Sequence, residues 1–270
     1  MKTYLCFFAI VILAMGWVSA EEPIVRVDFE SFPLGLIDSA RLERAFGPLA
    51  WHSLEDRVAV ISAGGSRGDQ VLEIRYPAGA FGSKKSGASF VAELPPAEEY
   101  FLSYRFRFSE GFPFVKGGKL PGLSSGGSKY TGGRQPPKTG GWSARYMWRR
   151  EGDLELYLYH PEMKAPTGDR VPLDFRCEPF IWYTLTQRIR VNHLGKANGL
   201  IQVWIDGRQS LNLTGLQLRS EDLGLIDSFL FSTFFGGGSK SWAPEAACSI
   251  QFDQFVISSS APDDVKLGGD

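Results

Sequence analysis

The sequence consists largely of short segments in which apolar and polar residues alternate, with Gly-rich turns between them and almost no helical periodicity. Successive side chains of a strand point to opposite faces, so an alternating segment can bury one face. The clearest example is residues 100–108, whose predicted core face is Tyr100, Leu102, Tyr104, Phe106 and Phe108. Roughly a dozen such segments predict an all-β fold, a single antiparallel β-sandwich of jelly-roll type with a concave substrate groove.

The other predicted strands are residues 24–29, 71–76, 89–94, 142–148, 154–159, 181–191, 200–205, 208–211, 228–235 and 249–258, with one short helix at 41–46. Asp206-Gly207 is a strong signal for a hairpin turn between two of these strands. Residues 114–141 and 160–174 are rich in Gly, Ser, Pro and charged residues, and we predict them to be long loops. A loop as long as the first one is usually functional or disordered.

The first twenty residues predict export of the protein. Lys2 gives a positive start, Leu5 to Trp17 is an apolar run, and Val18-Ser19-Ala20 offers a small-residue cleavage site. The run is short for a membrane span, and no other stretch approaches it in length. We therefore predict a signal peptide at 1–20, one domain at 21–260, a flexible tail at 261–270, and a secreted monomer without a membrane partner.

Composition excludes several classes of function. The chain has 29 Lys and Arg against 30 Asp and Glu, and this near-neutral charge argues against a nucleic-acid partner. Its three histidines, His52, His160 and His193, are scattered, so we predict no metal site and no cofactor. Neither a serine nucleophile elbow nor a phosphate-binding loop occurs. Two cysteines follow the signal segment, and the sequence leaves open whether Cys177 and Cys248 form a disulfide.

The strands at 142–148 and 154–159 predict a hairpin with one polar surface. A three-residue loop at 150–152 brings the polar faces to the same side, because its last residue is a glycine that can adopt the left-handed conformation. The two faces carry Ser143, Arg145, Met147 and Arg149 on one strand and Glu155, Tyr157 and Tyr159 on the other. In this register Arg145 lies opposite Tyr157 and the serine lies opposite the second tyrosine, about 5 Å apart at Cβ.

Such residues are common on ordinary exposed sheets, but together they suit β-elimination on a uronic-acid polymer. In that reaction a base removes the hydrogen on C5 and the C4–O bond breaks. The neighbouring carboxylate must be neutralised, which needs Arg, Lys or hydroxyl donors. A nearby cation can lower the pKa of a tyrosine by roughly 1–3 units. We therefore expect one tyrosine, placed between Arg145 and a lysine, to act as the base. The second tyrosine would protonate the leaving oxygen.

Four segments give the sequence a specific resemblance. They are Lys-Gly-Gly-Lys-Leu-Pro-Gly, Gly-Trp-Ser-Ala-Arg-x-Met-Trp-Arg, Tyr-Leu-Tyr, and Phe-Ser-Thr-Phe-Phe-Gly-Gly with Trp242-Ala243-Pro244 after it. In this order, over residues 101–258, they resemble polysaccharide lyase family 14, whose members are alginate and glucuronan-cleaving lyases with a jelly-roll sandwich. The resemblance implies a secreted lyase that acts on an acidic polysaccharide, a 1,4-linked uronate polymer.

The resemblance also implies a set of site residues. These predicted catalytic residues are Lys119, Ser143, Arg145, Tyr157 and Tyr159. Lys116 is the other lysine that could hold the family position. Separately from the resemblance, we predict that Arg188 and Arg190, on the polar face of residues 181–191, and Trp242, which could stack on a sugar ring, bind substrate. Still open are which of Lys116 and Lys119 is the site lysine, which tyrosine is base or acid, which uronate is preferred, and whether cleavage is endo or exo. The alternatives are a non-catalytic carbohydrate-binding sandwich and a structural cell-wall protein, neither of which requires two adjacent phenols.

Overall fold

The computed structural model describes residues 22–64 and 69–267, so the predicted signal peptide lies outside the described residues. These two ranges form one α-helix, α1 (Ser39–Phe46), and sixteen strands. The strands are β1 (Val25–Val27), β2 (Gly35–Leu36), β3 (Leu49–Ser53), β4 (Val58–Ser62), β5 (Gln70–Tyr76), β6 (Ala88–Ala97), β7 (Glu99–Phe108), β8 (Gly118–Ser125), β9 (Trp142–Trp148), β10 (Asp153–Tyr159), β11 (Asp169–Arg176), β12 (Trp182–Arg190), β13 (Gly199–Ile205), β14 (Arg208–Leu216), β15 (Ile226–Thr233) and β16 (Cys248–Ser258). Three short 3₁₀ turns lie at Glu55–Arg57, Arg150–Gly152 and Lys240–Trp242.

The strands form two antiparallel sheets, which confirms the predicted all-β sandwich. The front sheet has the order β11-β10-β9-β8-β15-β6-β3. The back sheet has the order β14-β13-β12-β7-β16-β5-β4-β2, and β1 also pairs with β16. Strands distant in the chain thus lie side by side, as the jelly-roll prediction requires.

The core between the sheets is rich in aromatic rings. Asp38 caps the N-terminus of helix α1, because its side chain accepts a hydrogen bond from the Arg41 N–H at 2.8 Å. Its last residue, Phe46, contacts Phe90 and Phe255, with ring centroids 5.2 and 5.3 Å away. Because these two rings belong to opposite sheets, the helix closes one end of the sandwich. The five predicted core residues of β7 are all buried, as the alternation indicated.

Two predicted loops proved to contain strands. Residues 114–141 include β8, which is buried along its whole length. Glycines hide this strand in the sequence, because they lie where other residues leave no space: a Cβ on Gly118 would be 2.0 Å from the Trp148 ring, and one on Gly122 would be 1.9 Å from the Ala144 carbonyl oxygen. Residues 160–174 include most of β11, an edge strand whose alternate residues are largely exposed. The short strands β2, β3 and β4 were also missed.

The C-terminal segment and the cysteines resolve two further points. Within the predicted tail, Val265 is buried, and its N–H donates to the Pro262 carbonyl of the same segment at 3.0 Å. Residues 268–270 lie outside the described residues. Cys177 and Cys248 are both free thiols in this structure.

Candidate active site

The hairpin of β9 and β10 has the predicted register. Arg145 pairs with Tyr157 and Ser143 pairs with Tyr159. The Arg149 N–H donates to the Asp153 carbonyl at 2.7 Å, which leaves a three-residue loop. Gly152 has a φ of 89°, as predicted, and Glu151 is also left-handed with a φ of 62°. The opposite faces of both strands are buried in the core, so the polar set lies on the outer face of the front sheet.

The two tyrosines contact each other on this face. Their hydroxyl oxygens are 3.3 Å apart, and their rings meet edge to face with centroids separated by 5.4 Å. Tyr159 is fully buried, and its hydroxyl accepts a hydrogen bond from the Gly133 N–H at 3.0 Å. Tyr157 keeps 7% of its surface exposed. The two hydroxyl groups are therefore held in a fixed arrangement that is largely buried from solvent.

Arg145 brings a buried cation to the tyrosine pair. Its Nη1 donates to the Ser232 hydroxyl at 3.1 Å, whereas its Nε is buried without a hydrogen-bond partner among the described residues. Burial lowers the pKa of this guanidinium to about 10, and both tyrosines oppose the shift. Arg145 is thus cationic at neutral pH, and its Nε is not engaged by an acceptor of the described residues.

Lys119 lies in β8, paired with Met147 of β9. Its Nζ lies 2.6 Å from the Met147 sulfur and 3.6 Å from the centre of the Tyr157 ring. A thioether and a ring face do little to replace water around an ammonium group. Burial, followed by the charge of Arg145, holds the pKa of Lys119 well below its usual range, and Glu155 opposes this. The neutral amine, which can accept a proton, is therefore favoured.

The expected lowering of a tyrosine pKa beside Arg145 is not found at Tyr157. Burial raises the pKa of Tyr157 to about 12, and the hydrogen bond with Tyr159 acts in the same direction. Arg145 lowers it, as expected, but by less than burial raises it. Tyr157 is thus a neutral hydroxyl donor in the free protein, and Lys119 is better suited to accept a proton.

These side chains line a groove of about 720 Å³. Lys119, Arg145, Tyr157 and Tyr159 form part of its lining, which confirms that the fold brings them together. The wall comes from loops, including residues 131–134 and Thr167. Arg134 and Thr167 could not be predicted from the sequence, because no periodicity marks a loop residue. Ser232 also lines the groove and was not predicted, although the alternation of β15 places it on the outer face.

Ser143 does not line the groove. Its side chain is fully buried, and its hydroxyl donates to the Tyr130 carbonyl at 2.7 Å. Tyr130 belongs to the loop between β8 and β9, which also supplies the Gly133 N–H to Tyr159. Ser143 therefore holds this loop over the sheet and does not reach the cavity itself.

Lys116 and Trp242 lie next to each other at one end of the site. The Lys116 Nζ donates to the Ser241 hydroxyl at 2.7 Å, and the Trp242 ring lies 5.7 Å from the Arg149 guanidinium carbon. Trp242 also packs against the cluster of Met147, Met163 and the two tyrosines. Of the two candidate lysines, it is Lys119 that lies against Tyr157 and lines the groove.

Arg188 and Arg190 are not near this site, which corrects the prediction that they line the groove. Both belong to β12 of the back sheet, where Gln187 points inward and donates to the Ala144 carbonyl of the front sheet. Alternate residues of a strand face opposite ways, so both arginines lie on the far side of the sandwich. Arg188 donates there to Glu99 at 2.5 Å and to Gln202 at 2.9 Å.

Within residues 22–64 and 69–267, no group of three or more His, Cys, Asp or Glu side chains could hold a metal ion. The His160 Nε2–H donates to the Asp169 carboxylate at 2.7 Å, outside the groove lining. In the same part of the chain, no helix has the length and apolar character needed to cross a membrane.

The fold and the site define a class of protein, an antiparallel sandwich with a cationic, phenol-lined groove on one sheet. The sequence profile described as polysaccharide lyase 14 matches residues 65–255. The chain belongs to polysaccharide lyase family 14 and is a polysaccharide lyase. A comparison with curated protein sequences found no match.

Solved structures agree with this assignment. The marine PL-14 alginate lyase from Aplysia kurodai is 26% identical, with a TM-score of 0.74 over 89% of this chain and 100% of that one. The alginate lyase vAL-1 from Chlorella virus is 22% identical, with a TM-score of 0.69 over 88% and 100% of the two chains. The endo-β-1,4-glucuronan lyase from the fungus Trichoderma reesei shares the fold at 13% identity, with a TM-score of 0.58 over 88% and 96%.

Proposed function

We propose that this lyase cleaves a 1,4-linked uronate polymer, alginate or a glucuronan, by β-elimination and leaves an unsaturated uronate at the new end. The observation that carries the proposal is the largely buried Arg145, whose side chain lines one groove together with Lys119 and two linked phenols. The neighbouring alginate and glucuronan lyases are consistent with this substrate class.

Arg145 binds the carboxylate of the sugar that loses its C5 hydrogen. Negative charge grows on that carboxylate as the proton leaves, and a buried guanidinium stabilises it more strongly than an exposed one. The hydrogen bond to Ser232 fixes the orientation of the guanidinium before substrate arrives.

Neutral Lys119 accepts the C5 proton, and the Tyr157–Tyr159 hydroxyl pair supplies a proton to the leaving oxygen. The C4–O bond breaks, and the electrons of the C5–H bond form the C4=C5 double bond. The two roles follow from the lowered pKa of Lys119 and the raised pKa of Tyr157. Ser143 and Gly133 act indirectly by holding the loop and the Tyr159 hydroxyl in place.

We further propose a secreted monomer whose partner is the acidic polysaccharide, with no nucleic-acid or membrane partner. The apolar segment and small-residue site within residues 1–20 support secretion, and the near-neutral overall charge argues against a nucleic-acid partner. N-terminal sequencing of the exported protein would test secretion, since we expect residues 1–20 to be removed. A mature protein that begins at residue 1 would contradict secretion by this route.

The direct test of function is incubation of the purified protein with polymannuronate, polyguluronate and polyglucuronate, followed by ultraviolet absorbance of the new double bond. We expect absorbance to rise with at least one polymer. Binding without absorbance would favour the carbohydrate-binding alternative, and the Lys119→Met variant is the inactive control.

Activity should not depend on a metal ion, because Arg145 supplies the positive charge that a metal would otherwise supply at the carboxylate. Dialysis against a chelator should leave the rate of double-bond formation unchanged. A loss of activity that Ca²⁺ or another divalent ion restores would contradict this prediction.

A further inference from the structure

The front sheet carries a second cationic cluster, formed by Arg149, Glu155 and Arg170. Glu155 lies on the same face of β10 as Tyr157, and its Oε1 is 3.6 Å from the Arg149 Nε and 3.9 Å from the Arg170 Nε. Both distances exceed a hydrogen bond. The two guanidinium groups thus form ion pairs with one carboxylate oxygen without a hydrogen bond to it.

Unpartnered atoms mark this cluster as a place for a ligand. Among the described residues, Arg149 Nη1 and Glu155 Oε1 are both buried without a hydrogen-bond partner. Buried polar atoms are rarely left unpaired, because the desolvation penalty is about 1–3 kcal/mol. Arg149 and Glu155 also line a cavity of about 490 Å³, together with Asp174 and with Asp153, which is paired with Arg176 at 2.7 Å; Arg170 is not among its lining residues.

The position of the cluster relates it to the groove. Arg149 is four residues beyond Arg145 along the hairpin, which is about 14 Å for extended chain. Arg170 of β11 pairs with Tyr157 of β10, which in turn pairs with Arg145 of β9. Arg170 therefore lies two strands from Arg145, about 10 Å away. Trp242, 5.7 Å from the Arg149 guanidinium carbon, adds a ring at the same end.

We propose that Arg149 and Arg170, with Glu155 between them, form a distal subsite that binds a uronate unit several sugars from the bond that is cleaved. The two arginines bind its carboxylate, and Glu155 accepts a hydrogen bond from one of its hydroxyl groups. A uronate carries both groups on one ring, which matches a site with donors and an acceptor side by side. This subsite extends the proposed function and depends on it.

The test compares substrates of different length. For Arg170→Gln, the ratio of kcat/KM on the polymer to kcat/KM on the shortest cleaved oligomer should fall about tenfold or more, the effect of losing one hydrogen bond to a charged group. Arg149→Gln should behave in the same way. The control is Arg75→Gln, which removes a similarly exposed arginine from an ion pair on the back sheet. Because the Arg170 side chain is 52% exposed, its variant should fold, and the melting temperature checks this.

The outcomes separate the subsite from the proposed function. Normal cleavage with an unchanged length preference in both variants would overturn the subsite and leave the lyase mechanism standing. If the wild type cleaves none of the uronate polymers, the proposed function fails, and titration calorimetry with the same polymers decides the subsite. Equal affinity of the wild type and Arg170→Gln would then overturn it as well.

Discussion

Lys119 shows how a residue's environment sets its chemistry. A lysine in a Gly-rich segment would ordinarily be a solvated surface charge, but β8 places this one under the Tyr157 ring and against the Met147 sulfur. The charged form then loses its hydration without gaining a strong partner. The same burial that makes Lys119 a usable base therefore destabilises the folded protein at neutral pH.

Lys119→Met should abolish double-bond formation and raise the melting temperature at neutral pH. The folded pKa of Lys119 is lowered, so between that pKa and about 10.4 the unfolded chain binds more protons, and wild-type stability increases with pH in this window. The variant should lack that contribution. Melting curves of both proteins between about pH 6 and about pH 11, a range that includes the ordinary lysine pKa of about 10.4, provide the measurement. A variant less stable than wild type at pH 7 would contradict the cost assigned to the buried amine.

The two tyrosines should respond differently to removal of the hydroxyl. Tyr157→Phe and Tyr159→Phe should each lower turnover about 10²–10⁴-fold, as expected for loss of a general acid. Tyr157→Phe should change the unfolding free energy by about 1 kcal/mol or less. Tyr159→Phe should cost about 1–3 kcal/mol, because the Gly133 N–H loses its acceptor.

Turnover and melting temperature of both Phe variants, measured side by side, check these values. Wild-type turnover in both would end the proposed mechanism. A large loss of stability with unchanged turnover would assign the pair to packing alone.

Among the strands, a β-bulge in β8 determines the relative positions of the site residues Lys119 and Arg145. Its register against β9 shifts between Leu120 and Leu123, so Pro121 and Gly122 together lie opposite one residue, Arg145. Side chains of the back sheet satisfy the bulge: the Leu123 N–H donates to Gln187 Oε1, Gln187 Nε2 donates to the Ala144 carbonyl, and the Tyr104 hydroxyl donates to the Pro121 carbonyl. The back sheet thus fixes where Lys119 stands relative to Arg145.

Gln187→Leu should therefore weaken both stability and catalysis. The side chain has a similar size but leaves two buried backbone groups without partners, at about 1–3 kcal/mol each. We expect kcat to fall and its pH dependence to shift, because Lys119 moves relative to Arg145. Gln202→Leu, a buried glutamine on the outer face of the same sheet, is the control and should reduce stability alone. An unchanged pH profile in Gln187→Leu would contradict a positioning role.

The bulge also shows how far sequence carries the prediction. Alternation located β7, and a glycine in the hairpin loop fixed the pairing of Arg145 with Tyr157, because both signals are local. The sequence could not reveal β8, because its glycines are required by contacts with Trp148 and Ala144 in another strand. The alternation correctly placed Arg188 on the polar, outward face of its strand. Which sheet carries the groove, however, depends on the order of strands in the whole fold.

At the scale of the molecule, charge is distributed unevenly. The chain has a formal net charge of −1, yet Arg134 and Arg145 line the groove and Arg149 and Arg170 lie on the same face. An acidic polymer is therefore attracted by a local field and not by the protein as a whole. The protein can stay near neutral overall and still bind a polyanion along one sheet.

The Michaelis constant for a uronate polymer should consequently rise with added salt. Ions screen exposed charges beyond about 10 Å at 0.1 M, whereas the buried Arg145 at the reacting sugar is screened much less, so kcat should change less than KM. Steady-state rates over a series of NaCl concentrations give the slope. Arg134→Gln should reduce that slope, and Arg190→Gln should not, because Arg190 lies on the outer face of the back sheet. A KM that is independent of salt, or an equal effect of both substitutions, would show that the polymer does not follow the cationic face of the front sheet.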